Sequence, residues 1–450
     1  MNKDEADQSR YLKLFPLLVR VLALKRQGSK IVKNEIARQK SGTHMASNTE
    51  NRSWEDVTYL VDSIGARGSG TAEEEEAAGY VRSVLDGLNI AYEEQPFRSA
   101  ASAWRPFAVM LGLAVLATLL APLFLPASSL LAAFLLALSM WLTIRESLLQ
   151  DTILRRLLPQ VNSRNVIGRL PSEGEPLERI VLVAHLDTHR TPYFHRSRKR
   201  QHWFGFMIFF AETGTVINIL LYLALSISGE VWLWWASLPF ALLHLLMALV
   251  CAAVERTPYS PGANDNAAAV GTALQVAREL RDGPLVNTDL WFLFSGCEEV
   301  GAYGMREFLK EYSPAIQGAQ FIDLEMVGQG IPGVVIKEGM FRRIDYDPWL
   351  IEEACAAAES TWQPAFRKEA HAYGESVVTQ RAGYPSVTLN TVLAETGKTA
   401  VWHRMDDDLD AISPQTIDNV VSWVLALLRG LDEAAGSAGS HTISQRLIRD

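Results

Sequence analysis

Four long runs almost without charge divide this chain: residues 107–125, 128–144, 204–227 and 231–254. Within them Glu212 is the only carboxylic acid and His244 the only basic side chain. A helix needs roughly 20 apolar residues to cross a bilayer. The later pair reaches that length, while Pro122 and Pro126 break the earlier pair. The runs predict two membrane hairpins, over 106–144 and 204–254, with pairs of buried core helices as the alternative.

Outside the hairpins the pattern alternates. Helices are expected at 53–64, 73–88 (capped by Thr71), 267–280, 303–312, 348–359 and 414–431. Strands are expected at 91–97, 165–170, 179–184, 289–294, 320–324 and 386–389. This alternation predicts an α/β domain with a largely parallel sheet, whose sites lie where strands end. The domain is divided into 51–100, 145–203 and 255–433. A small, polar tail at 434–450 is expected to be mobile. Residues 1–50 form an extension. Its apolar stretch at 11–24 reads as an amphipathic helix on an anionic membrane surface or as a solvated helix. His44-Met45-Ala46-Ser47 resembles a cloning seam, which would make the residues before it foreign.

Five short motifs carry chemistry. His185-Leu186-Asp187 ends a strand, and residues two apart in an extended segment share a side, so Asp187 is placed to orient the His185 imidazole. Gly262-Ala263-Asn264-Asp265-Asn266 opens a helix, where Asp265 alone reads as a cap. Glu298 and Glu299 follow an apolar strand. Adjacent carboxylates repel, and a cation resolves this, with one acid binding metal and the other acting as base. A solvated turn is the alternative. Glu325 closes another apolar strand, where an acid is costly unless paired or metal-bound, and Asp323 competes with it. His403 precedes Asp406-Asp407-Asp408 and alone reads as a surface histidine. Together these residues form the mixed nitrogen and oxygen set that Zn²⁺ accepts.

In this order the motifs resemble the co-catalytic zinc aminopeptidases of the M28 peptidase family, over roughly 53–97, 165–189 and 260–431. Ala382-Gly383-Tyr384-Pro385 is similar to that family's late turn. The resemblance implies a mixed, mostly parallel central sheet flanked by helices, of the zinc aminopeptidase/phosphorylase-hydrolase type. It implies two Zn²⁺ per chain: one on His185 and Glu325, one on Glu299 and His403, with Asp265 bridging. Glu298 becomes the general base, Asp187 orients His185, and peptides become the substrates. The sequence departs from the family at Glu325, often Asp there, and at Cys297, where a small residue is common. Gly374-Glu375-Ser376 replaces a frequent Ser-Asp-His. His371 and Tyr373 nearby become candidate substrate contacts.

A shared centre puts His185 and Asp265 on one side of the bilayer, so the two runs between them cross it twice. Arg190, Arg196, Arg198, Lys199 and Arg200 crowd one flank, and Arg105, Arg145, Arg155 and Arg156 flank the first hairpin. The positive-inside rule makes this side cytoplasmic, giving a multi-pass protein with about four spans. The net charge of −9 argues against nucleic acid as a partner. Three cysteines without CxxC spacing argue against a disulfide framework or a thiolate zinc site. A neighbouring carboxylate pair also disfavours a Cys297 nucleophile. The rival readings are a single-zinc, glutaminyl-cyclase-like acyltransferase, a non-catalytic membrane scaffold, and a transporter built on Glu212 and His244.

Overall fold

The computed structural model describes residues 51–150, 152–340 and 342–447, with side chains to 437. The extension over 1–50, with its amphipathic stretch and seam, lies outside the described residues. α1 (Ser53–Thr58) continues into a π-turn (Tyr59–Ile64), followed by α2 (Ala72–Gly87) and β1 (Ala91–Ala100). Then come α3 (Arg105–Leu120), α4 (Ala127–Ser147), the short α5 (Ile153–Leu157), β2 (Gln160–Leu170) and β3 (Glu178–His185). α6 (Arg198–Ser228) and α7 (Trp232–Val254) lead to a π-turn (Ala263–Ala267) and α8 (Ala268–Arg281). The rest alternates through β4 (Thr288–Ser295), α9 (Tyr303–Tyr312), β5 (Gln320–Leu324), β6 (Ile331–Glu338) and β7 (Ile344–Asp345). It closes with α10 (Pro348–Thr361), β8 (Phe366–Ala370), α11 (Glu375–Arg381), β9 (Ser386–Val392) and α12 (Pro414–Leu447).

The strands form one sheet in the order β1-β2-β4-β3-β5-β9-β6-β7, with β8 beside β6. Its centre, β4-β3-β5-β9, is parallel, as expected. The margins are mixed: β1–β2, β2–β4, β6–β9 and β6–β7 are antiparallel, while β8 runs parallel to β6. One cause is the first hairpin. The chain leaves at the end of β1, passes through α3 and α4, and returns as β2, which reverses its direction against β1. Both faces of the centre are covered, and β3 and β4 carry unbroken apolar runs, Ile180–Ala184 and Leu290–Phe294. On β4, Leu290, Phe292 and Phe294 pack on one side, while Trp291 and Leu293 pack on the other against Phe308 of α9.

Thr71 caps α2 through the Glu74 amide, ahead of acids that suit a helix N-terminus. β6, β7, β8 and α11 were not read from the sequence. β6 begins Ile331-Pro332-Gly333, and β8 is short and charged, so neither shows a strand's periodicity. The closing helix also runs on past Leu431 to Leu447 instead of giving way to a tail. Asp432 accepts from the Val286 and Asn287 amides, and a Cβ on Gly436 would meet Asn287, so the helix is held against the domain there.

α3 packs against α4 and α7, and α6 packs against the same two, so the hairpins join in one four-helix bundle. Its interior is polar in places. The Tyr222 hydroxyl meets Thr118 and Ser237, Ser139 donates to the Met110 carbonyl, and Trp234 Nε1 donates to the Thr118 carbonyl. Its outside is apolar: Phe134, Phe209, Leu220 and Leu242 are each more than 60% exposed. Paired polar groups within and apolar side chains outward suit lipid as solvent. By length and composition α4, α6 and α7 are able to cross a membrane. α3 has 16 residues, about 24 Å at 1.5 Å per residue, and is shorter.

Candidate metal centre

Parallel register brings the motifs together. His185 ends β3 opposite Ser295 of β4, and Leu324 of β5 lies opposite Leu389 of β9. The residues just beyond these ends gather at one edge of the sheet. His185 Nε2 lies 3.4 Å from Asp265 Oδ1 and 3.2 Å from Glu325 Oε2. His403 Nε2 lies 3.5 Å from Asp265 Oδ2 and 3.1 Å from Glu299 Oε2. Asp265 thus turns one oxygen to each imidazole. Glu298, beside Glu299, lines the same cavity of about 440 Å³.

Three site residues, the candidate base Glu298 and the candidate ligands Glu325 and His403, adjoin or are residues in the left-handed region: Cys297 (φ 54°) before Glu298, Met326 (φ 53°) after Glu325, and His403 itself (φ 53°). For non-glycine residues this conformation costs about 1–2 kcal/mol each. Here it turns the chain sharply so that the acids face the cavity.

Asp187 holds the centre differently from the sequence expectation. Its backbone carbonyl, at 3.0 Å, is nearer to His185 Nδ1 than its carboxylate, at 3.5 Å. The strand ends at His185, so the two-residue alternation stops there. The carboxylate instead accepts from Ser69 Oγ (2.6 Å) and from the amides of Glu298 (2.9 Å) and Glu299 (3.1 Å). It anchors the loop that carries both glutamates. With Nδ1–H on a carbonyl, His185 Nε2 keeps its lone pair toward Asp265 and Glu325.

Further supports escaped the sequence reading. Asp407 accepts from the Asn264 and Asp265 amides (2.7 and 3.1 Å) and fixes the π-turn. The Asn266 side chain donates to the Leu324 carbonyl and accepts from the Met326 amide, clamping the end of β5. The buried Arg67 guanidinium donates to the carbonyls of Leu60, Gly65, Leu186, Pro261 and Gly262. His189 stacks on His403 with centroids 3.9 Å apart. Although His189 lies within ligand reach of Glu299 and His403, its Nδ1 meets the Arg190 carbonyl and its Nε2 meets Trp104 Nε1. Both nitrogens are spent, so it buttresses His403 instead of adding a ligand. Only the Gly-Ala-Asn-Asp-Asn run and the acidic run Asp406-Asp407-Asp408 hinted at any of this.

Other candidates stay outside the cluster. Asp323 points back to the Ser376 amide and hydroxyl, both at 3.3 Å. Cys297 is fully buried, and burial followed by Glu74 pushes its thiol well up, which suits no nucleophile. His371 and Tyr373 line the cavity wall, where His371 meets Arg343 and Tyr373 stacks under Arg381.

The electrostatics call for a cation. Burial, then repulsion from Asp265, raises the carboxyls of Glu299 and Glu325. Burial, then the charges of Glu325 and Glu375, does the same to Glu298. Burial and neighbouring imidazoles hold His403 well below its ordinary value and hence neutral. Both Asp265 oxygens, Glu299 Oε1 and His185 Nε2 are buried without a hydrogen-bond partner. Such groups are costly unless a metal takes their lone pairs. The residues present therefore fit zinc: His185, Asp265 and Glu325 offer three ligand atoms within 4.8 Å of one another, and His403 with Glu299 stands beside the second Asp265 oxygen, all imidazole nitrogen and carboxylate oxygen.

Fold and site together define a metallopeptidase-like α/β protein. Residues 247–428 match the family described as Peptidase family M28. That span holds Asp265, Glu298, Glu299, Glu325 and His403, while His185 and Asp187 come before it. Among curated proteins, the probable lipoprotein aminopeptidase LpqL of Mycobacterium tuberculosis is 31% identical over 88 residues, 19% of this chain. The match spans only 18% of that relative's length. Among solved structures, BSAP, a zinc aminopeptidase from Bacillus subtilis, superposes with a TM-score of 0.51 at 15% identity, over 84% of this chain and 94% of that one. A glutaminyl cyclase of Bacteroides thetaiotaomicron gives 0.51 at 16% identity, over 86% and 99%. At such identities the likeness shows a shared fold.

Proposed function

We propose that this chain is a zinc-dependent peptidase, an aminopeptidase, anchored in a membrane with its catalytic domain on the cytoplasmic side. The observation that carries the reading is the single carboxylate of Asp265 set between two imidazole–glutamate pairs. His185 and Glu325 would hold one zinc and His403 and Glu299 the other, with one Asp265 oxygen facing each pair. Bound zinc supplies Lewis acidity, which acidifies water and polarises a peptide carbonyl. Glu298 takes a proton from the attacking water and delivers it to the departing amine. The C–N bond breaks, and the oxygen of water ends in the new carboxylate. Asp187 keeps Glu298 and Glu299 in register through their amides.

The membrane part rests on the apolar outside of the bundle and on the basic flank of the hairpins. Arg198, Gln201 and His202, one face of the first turn of α6, line the cavity. Trp203 and Phe206 on the next face are exposed. The site therefore lies beside the bilayer surface, and peptides held there are its favoured substrates. A variant lacking both hairpins but cleaving the same peptides with equal kcat/KM would remove this part of the reading.

The decisive test is elemental analysis of the purified chain beside Glu298→Gln assayed on a leucyl fluorogenic amide. Two zinc per chain, with the rate down about 10²–10⁴-fold and metal retained in the variant, support the peptidase. The cyclase-like fold neighbours favour a second reading. One zinc, with ammonia lost from peptides beginning in glutamine and no hydrolysis, would establish it. No metal and no turnover would leave a scaffold.

A further inference from the structure

Behind Glu325 the cavity wall belongs to β6, β8 and β9, which contribute Glu338, Lys368 and Asn390. Lys368 is half-buried. Among the described residues its ammonium makes one hydrogen bond, to Asn390 Oδ1 at 3.4 Å, and no ion pair within 4 Å. Glu338, whose charge it feels, is already engaged: Oε1 accepts from the Gly374 amide at 2.9 Å and Oε2 from the Tyr346 hydroxyl. An ammonium has three donors. One that is partly desolvated with a single long hydrogen bond is costly unless an anion joins it. Burial accordingly lowers its pKa.

Asn390 ties this cation to the centre. Its Nδ2 donates to the Glu325 carbonyl at 2.7 Å, while its Oδ1 takes Lys368. The ammonium thus stands one side-chain amide away from Glu325, on the wall of the cavity that holds Glu298 and Asp265. Exposed Arg198 and Lys398 add positive charge at the same cavity. The floor is acidic and serves a cation, whereas the Lys368 ammonium on this wall is placed to serve an anion.

We propose that Lys368 determines specificity by binding a carboxylate of the substrate. Two sources share that chemistry: an acidic side chain on the N-terminal residue, or the free C-terminal carboxylate of a dipeptide. The inference rests on reading the cavity as a peptidase site. The carboxylate fills the ammonium's remaining donors in a partly dry pocket, where a charge-assisted hydrogen bond is strong.

The test compares the wild-type chain and Lys368→Met, both zinc-loaded, on four substrates: glutamyl and leucyl fluorogenic amides, the dipeptide Leu-Leu, and its C-terminal amide. Either the glutamyl-to-leucyl ratio of kcat/KM or the dipeptide-to-amide ratio falls about tenfold or more in the variant. The first outcome assigns the side chain and the second the C-terminus. Both ratios unchanged would overturn the proposal, because a lysine that merely balances Glu338 affects all four substrates alike. Lys368→Gln replaces Lys368→Met if the latter does not fold. Calorimetric titration of Leu-Leu and its amide, and of glutamyl and leucyl amides, into Glu298→Gln, with and without Lys368→Met, needs no turnover. Loss of a carboxylate-dependent affinity gap supports the site, and equal gaps, or none, sink it. If the wild type cleaves none of the four, the peptidase reading fails while the titration still judges the carboxylate site.

Discussion

Glu338 lies in the wall of the cavity with both oxygens hydrogen-bonded and 5% of its surface exposed. Burial raises its carboxyl from the ordinary 4.5 to about 7. The folded protein therefore holds this proton more tightly than the unfolded chain does. The stability it contributes is fully present below pH 4.5 and is lost as pH rises through about 7. Glu338→Gln, which cannot ionise, should show a smaller fall in unfolding midpoint between pH 5 and pH 8 than the wild type, measured in one detergent. Equal falls would show that Glu338 does not titrate in that window. At this scale the sequence was legible for acids and histidines set at strand ends. It assigned no role to Arg67 or His189, and it marked Asp407 only as part of the acidic run after His403. Their partners are backbone groups and rings from segments far away in the chain, and no local pattern marks such pairings.

Among the elements, the π-turn over Ala263–Ala267 aims Asp265, and Gly262 makes it possible. Gly262 has φ +67°, and a Cβ there would stand 2.2 Å from Thr188 Cγ2 and 2.6 Å from the Asp265 carbonyl. Gly229, the C-cap of α6, has φ +69° but open space around it. The comparison separates strain from collision. Gly229→Ala should cost about 1 kcal/mol in stability and keep its zinc. Gly262→Ala should cost more and lose zinc, because the Asp265 turn has to move. Full zinc content in Gly262→Ala, by elemental analysis, would contradict this. The turn itself was expected only as the opening of a helix. Its irregular form depends on Asp407 and Asn266 pulling on it from other parts of the chain.

For the molecule as a whole, topology is the testable consequence. The turn between α6 and α7, at Ser228, lies at the far end of the bundle from the cavity-lining turn at Arg198. If the helices span a bilayer, Ser228 and the catalytic domain face opposite sides. A cysteine at Ser228 should then react with an impermeant maleimide from the side away from one at the exposed Glu359. The parent chain is the control, with Cys251 and Cys297 buried and Cys355 half-buried. Labelling of both positions from one side would place the bundle on the membrane or against another partner.

The amphipathic periods, the helix caps and the four apolar runs are local properties, so the alternation of elements and the two hairpins could be read without coordinates. The motif order carried the candidate ligands for the same reason: short, chemically distinctive stretches sit next to apolar strands. Pairing is not local. Whether β1 and β2 run antiparallel, whether Ile331–Glu338 joins the sheet, and how far α12 extends were decided by hydrogen bonds between distant segments. The two oxygens of Asp265 reach separate imidazoles because β3, the π-turn and the loop bearing His403 converge, and only the folded chain brings them within 3.5 Å.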